Sequence, residues 1–74
     1  MNLEEIFAIY EKDNQTGVKL LEEYLKYNML NTKVVYTLFA YYVNNKSYGK
    51  AAYYLDLLRQ TNINMYDYYT YLIF

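Results

Sequence analysis

The chain is predicted to be all-α: an α-solenoid-like stack of two antiparallel helical hairpins plus a terminal helix. Apolar residues recur at helical spacing in successive stretches. Short runs of Asn, Asp, Lys and Ser separate those stretches and read as turns. Proline is absent and glycine occurs only at positions 17 and 49, which suits helix throughout.

The first helix is predicted over residues 3–12. Asn2 and Glu5 have capping-box spacing, and Leu3, Ile6, Phe7 and Tyr10 follow at i, i+3, i+4 and i+7. Asp13, Asn14, Gln15 and Thr16 read as a polar turn. The second helix runs from about Thr16 to Tyr27, with Val18, Leu21, Tyr24 and Leu25 inward. Glu22 and Lys26 are an i, i+4 pair on its wet face, and Asn28 ends it.

Val35, Leu38, Phe39 and Tyr42 make the inner stripe of the third helix. Asn44, Asn45, Lys46 and Ser47 break it, with Ser47 as the expected N-cap of the next helix. Tyr48, Ala51, Ala52, Leu55 and Leu58 form the fourth stripe, and small Ala51 and Ala52 mark the expected closest approach of the pair. Asn62 tolerates the left-handed position that follows a helix. Beyond it, Asn64 and Asp67 have capping-box spacing, and Tyr66, Tyr68, Tyr69, Tyr71, Leu72, Ile73 and Phe74 crowd together. A strand is the competing local reading there, because such residues favour sheet. The repeat register favours a helix. An end as apolar as Leu72–Phe74 needs cover from the fourth helix, a partner or further chain.

That register comes from comparing the two hairpins. A shift of 34 residues sets Gly17 on Ala51, Val18 on Ala52, Leu21 on Leu55, Tyr24 on Leu58, Asn28 on Asn62, Met29 on Ile63 and Leu38 on Leu72. Small residues fall on small and apolar on apolar. A period of this length built from helical hairpins is the signature of an α-solenoid. The chain is then one helical-repeat domain over 1–74: a degenerate repeat at 1–30, a full one at 31–63 and a partial one at 64–74.

Composition narrows function by exclusion. Seventy-four residues allow one small domain with a small core. There is no cysteine and no histidine, so disulfides, thiolate metal sites, zinc centres and histidine acid–base catalysis are out of reach. Glu4/Glu5 and Glu22/Glu23 are adjacent pairs, which diverge by about 100° on a helix and do not converge on one substrate. Ser47, the single serine, has no histidine partner, and neither glycine belongs to a phosphate loop. No nucleophile–base–orienter set emerges, so the expectation is a non-enzyme without cofactor or metal. Net charge is −1 with one arginine and no Lys/Arg block, a poor footprint for nucleic acid. The N-terminal residues resemble neither a signal nor a transit peptide, and no run is apolar enough for a bilayer span, so an intracellular location is favoured. Thirteen tyrosines stand out. AT-rich coding accounts for the bias, and a ring with a polar tip also suits contact surfaces.

Thr37-Leu38-Phe39, Tyr42, Tyr48, Ala51, Leu55, Leu58 and Asn62-Ile63 resemble the motif of a pentatricopeptide repeat. Gly17, Leu21, Tyr24, Asn28 and Met29 form a weaker copy. Tetratricopeptide repeats share the architecture and fit less well, since Phe39, Leu58 and Ile63 stand where they carry a small residue, Ala and Pro. The resemblance implies single-stranded RNA as a ligand, read one base per repeat by small polar residues. Those places fall near Tyr36 and Tyr66, which have the wrong chemistry; Asn2 and Asn31 of the weaker copy are better.

The leading expectation is therefore a scaffold or adaptor that binds a protein partner as a small subunit of a larger assembly. By analogy with solenoids, the first helix of each repeat lines a concave face. Partner contacts are expected at Lys33, Tyr36, Thr37, Tyr41, Tyr66, Tyr69 and Phe74. RNA binding, alone or within a ribonucleoprotein, is the alternative. Self-association through Tyr68–Phe74 is a third reading, and a membrane partner is not expected.

Overall fold

A computed structural model of the chain describes residues 1–28 and 30–61. They form helices α1 (Leu3–Lys12), α2 (Asn14–Tyr27), α3 (Thr32–Asn44) and α4 (Tyr48–Thr61), with no strand among the described residues. The class is all-α. The terminal helix expected over 64–74 lies outside the described residues, and with it Tyr66, Tyr69 and Phe74.

Local chemistry explains where each helix starts. Asn2 forms the capping box: its Oδ1 accepts the Glu5 N–H at 2.9 Å and its own N–H donates to Glu5 Oε1 at 3.1 Å. Asn31 caps α3 by accepting the Val34 N–H at 3.1 Å. Asp13 caps α2, accepting the Thr16 N–H at 3.3 Å and its hydroxyl at 2.7 Å. Those two bonds hold the Asp13 carboxyl below its usual range. The turn expected over Asp13–Thr16 thus shrinks to Asp13 alone, because α2 already begins at Asn14. One extended residue closes α1 and opens α2.

Helix ends share a second device. Asn14, Asn28 and Asn45 each donate a side-chain amide to the carbonyl four residues back, on Tyr10, Tyr24 and Tyr41. Each adds a side-chain donor to a carbonyl in the last turn of its helix, and the Tyr41 carbonyl also accepts the Asn45 backbone N–H at 3.1 Å. Asn28, which caps the end of α2, is itself extended. After α3 the chain does turn left-handed, at Lys46 with φ 59°. The Lys46 N–H donates to the Val43 carbonyl at 3.0 Å and the Ser47 N–H to that of Tyr42 at 2.8 Å, the Schellman arrangement. Ser47 directly precedes α4, and its carbonyl accepts the Ala51 N–H at 3.0 Å.

Packing runs between neighbours in sequence: α1 on α2, α2 on α3, α3 on α4. This order is compatible with a solenoid. Central α3 has the widest buried face, Val34, Val35, Leu38, Phe39 and Tyr42, because it meets a helix on either side. The remaining buried apolar side chains are Ile6, Val18, Leu21, Ala51, Tyr54, Leu55 and Leu58. Leu3, Phe7, Tyr10, Tyr24 and Leu25 pack around them half-buried.

Two sequence expectations shift. The stripe of α4 keeps Ala51, Leu55 and Leu58 and gains Tyr54 in place of Tyr48 and Ala52. Tyr48 is 52% exposed and Ala52 only half-buried, while Ala51, Tyr54, Leu55 and Leu58 face inward. Glu22 also leaves the wet face assigned to it, as described below. Ala51 is fully buried on α4, and a close approach of α2 to α1 is visible at Gly17. A Cβ built on Gly17 would lie 2.8 Å from the Tyr10 nitrogen and closer still to the Tyr10 Cα. Gly17 and Ala51 are the pair superposed by the 34-residue shift, as are buried Leu21 and Leu55.

Candidate functional site

Helices α2 and α4 both flank α3 and meet each other through Tyr54 and Glu22. The space between them is an open groove of about 710 Å³. Leu25 and Leu57 contribute apolar lining, Tyr27, Leu30 and Tyr53 flank them, and Lys19, Glu23 and Lys26 add charge of both signs. Tyr27 and Tyr53 are 77% and 60% exposed, and Leu30 is exposed beside them. These are among the most exposed large apolar side chains of the described residues. Neither Tyr27 nor Tyr53 was singled out from sequence, because each lies outside the inner stripe of its own helix. Only the placement of α2 beside α4 brings them together.

The same groove holds the principal polar contact between the hairpins. Glu22 Oε2 accepts the hydroxyls of both Tyr42 and Tyr54, each at 2.8 Å. The two rings stack with planes 1° apart and centroids 5.7 Å apart. The Lys50 ammonium lies 5.1 Å from the Tyr42 ring centroid. Glu22 is therefore half-buried between hairpins rather than on a solvated face. Further rings continue the stack on both sides. Tyr53 meets Tyr54 edge-on at 5.0 Å, Tyr41 meets Tyr42 at 5.1 Å, and Tyr10 meets Tyr41 at 6.5 Å.

Burial and the adjacent carboxylate both disfavour the phenolates. They push Tyr42 up to about 12 and raise Tyr54 further. The sign for stability follows from linkage. A phenol that ionises less readily when folded keeps its proton while the unfolded chain releases one, so stability declines with rising pH. The full contribution is present below pH 10.0, the ordinary tyrosine value, and is lost as pH climbs through about 12. Urea midpoints measured across that window are expected to fall in the wild type. The Tyr42→Phe/Tyr54→Phe variant should show a shallower decline. Equal slopes would refute the assignment.

Four of the partner residues expected from sequence, Lys33, Tyr36, Thr37 and Tyr41, lie on α3. Lys33 sits over the Phe7 ring, 4.5 Å from its centroid, which joins α1 to α3. The Thr37 hydroxyl donates to the Lys33 carbonyl at 2.7 Å. Tyr41 is half-buried between Tyr10 and Tyr42. Tyr36 is 39% exposed. Lys33, Thr37 and Tyr41 each make a side-chain contact within the fold.

Among the described residues no helix is long and apolar enough to cross a membrane, and no group of acidic, His or Cys side chains could hold a metal ion. No family model, curated protein or solved structure matches the chain.

Proposed function

We propose that this chain is a non-enzymatic helical-repeat adaptor of pentatricopeptide-like build, holding an amphipathic helix of a protein partner between α2 and α4 within a larger assembly. The observation that carries this reading is the gathering of Tyr27, Leu30 and Tyr53 around the Leu25–Leu57 lining of one groove. Exposed apolar groups rimmed by charge mark interaction surfaces. A trough between two helices suits a third helix laid along it, with anchors repeating at helical spacing. Tyrosine is favoured at such contacts because its large ring orders at low entropic cost. Lys19, Glu23 and Lys26 supply a polar rim of mixed sign, which fixes orientation more than affinity. The α1–α3 face is the weaker candidate, since Lys33 and Tyr41 already serve internal contacts.

The test compares variants of the tagged full chain purified from its native source. Tyr27→Ala/Tyr53→Ala should reduce retention of a co-purifying protein by on the order of tenfold or more, as expected for anchor residues. Tyr36→Ala should leave retention unchanged, and both should keep the helical circular-dichroism signal. Unchanged retention by the double variant would remove the groove. Loss only with Tyr36→Ala would move the site to the α1–α3 face. A salt-dependent complex with short single-stranded RNA, and no protein, would favour the nucleic-acid reading instead.

A further inference from the structure

Tyr53, Tyr54, Tyr42, Tyr41 and Tyr10 form a continuous series of ring contacts from the groove, through the core, to α1. Its two ends differ from its middle. Tyr53 is largely exposed, whereas Tyr54 and Tyr42 are only 6% and 8% exposed. The two buried phenols share one carboxylate oxygen, that of Glu22, as their acceptor. We propose that this series is a conduit for oxidising equivalents, in which an electron leaves at Tyr53 and the radical comes to rest on the Tyr54–Tyr42 pair while Glu22 takes the phenol proton.

While the groove is open, a one-electron oxidant, of the radical or high-valent-metal class, takes an electron from Tyr53, and the Tyr53 phenol proton passes to water. An electron then moves from Tyr54 to the Tyr53 radical, whose oxygen regains a proton from water. The Tyr54 O–H bond breaks in the same step, and its proton forms an O–H bond on Glu22 Oε2. The products are neutral Tyr53, a neutral Tyr54 radical and a protonated Glu22. Transfer of an electron from Tyr42 to Tyr54, with exchange of protons at the shared oxygen, moves the radical to the stacked neighbour.

Three features favour this course. Each hydroxyl already donates to its acceptor at 2.8 Å, so the proton moves without rearrangement. The Lys50 ammonium near the Tyr42 ring opposes a cationic ring, so oxidation there requires loss of the proton. Both phenols hold their protons well above neutral pH, so the proton leaves with the electron and not before it. Burial of the two rings then keeps the radical from meeting other radicals.

The experiment uses the full chain and a flash-generated ruthenium(III) polypyridyl oxidant, with the neutral tyrosyl radical followed by transient absorbance and electron paramagnetic resonance. A long-lived radical whose formation slows in deuterium oxide is expected. Glu22→Gln keeps the size of the side chain but cannot take the proton, and should reduce the long-lived yield by on the order of tenfold or more. Tyr53→Phe should slow its appearance, and Tyr42→Phe/Tyr54→Phe should abolish it. Circular dichroism establishes that each variant is folded. Should Glu22→Gln unfold, the single variant Tyr54→Phe, which leaves the Tyr42 bond to Glu22 in place, carries the comparison. A long-lived signal that survives Tyr42→Phe/Tyr54→Phe, or one indifferent to Glu22→Gln in a folded chain, would overturn the proposal.

Discussion

Gly17→Ala is expected to destabilise the chain by about 3 kcal/mol, the upper range for forcing an added group into a closely packed contact. The added Cβ would overlap the backbone of Tyr10, which cannot rotate away as a flexible side chain could. Helix α1 would have to lift from α2, exposing Ile6 and loosening Phe7 and Tyr10. A single core in a chain this short rarely supplies more than about 3–5 kcal/mol in total. The variant should therefore lose much of its helical signal in dilute urea. Gly49→Ala is the matched control. A Cβ there meets nothing within 4 Å, and the residue lies in the first turn of α4, so alanine should raise stability by about 0.5–1 kcal/mol. Opposite shifts in the urea midpoint support the close crossing of α1 and α2. A Gly17→Ala midpoint equal to that of wild type would exclude it.

Glu22→Ala should have the next largest effect. It removes one acceptor and leaves two phenol hydroxyls without their partner. Each unsatisfied buried hydroxyl costs about 1–3 kcal/mol, and water in the adjoining groove recovers part of that, so a total of about 2–3 kcal/mol is expected. The distinctive outcome lies in the double-mutant cycle. In the Glu22→Ala background, Tyr42→Phe and Tyr54→Phe should each be close to neutral or stabilising, because the stranded hydroxyl goes with the mutation. Strict additivity of the three changes would show that the carboxylate does not hold both rings.

These two residues differ in how readily sequence disclosed them. Gly17 was conspicuous, since it falls on Ala51 in the 34-residue register, and both prove to be buried. The capping box of Asn2 and Glu5 was equally legible, because its chemistry closes within one turn. Asp13 was read as part of a longer turn because three polar residues follow it, yet Asn14, Gln15 and Thr16 all enter the first turn of α2. On α4 the residues from Ala51 to Leu55 are all apolar, so periodicity could not separate Ala52 from Tyr54 as the inward position. Glu22 was hidden for a different reason. Its partners lie 20 and 32 residues away on other helices, and nothing in its own helix distinguishes it from Glu23. The groove was missed likewise, since Tyr27 and Tyr53 become neighbours only after the hairpins have met.

The pairing of each helix with the next in sequence has a kinetic corollary. Low contact order is the hallmark of fast folders, which finish in microseconds to milliseconds. With Asp13 as its sole connecting residue, the first hairpin can zip locally, and the second can do so through its tight left-handed corner at Lys46. The carboxylate that ties the halves together would form last, so its loss should accelerate unfolding while leaving the refolding rate nearly unchanged.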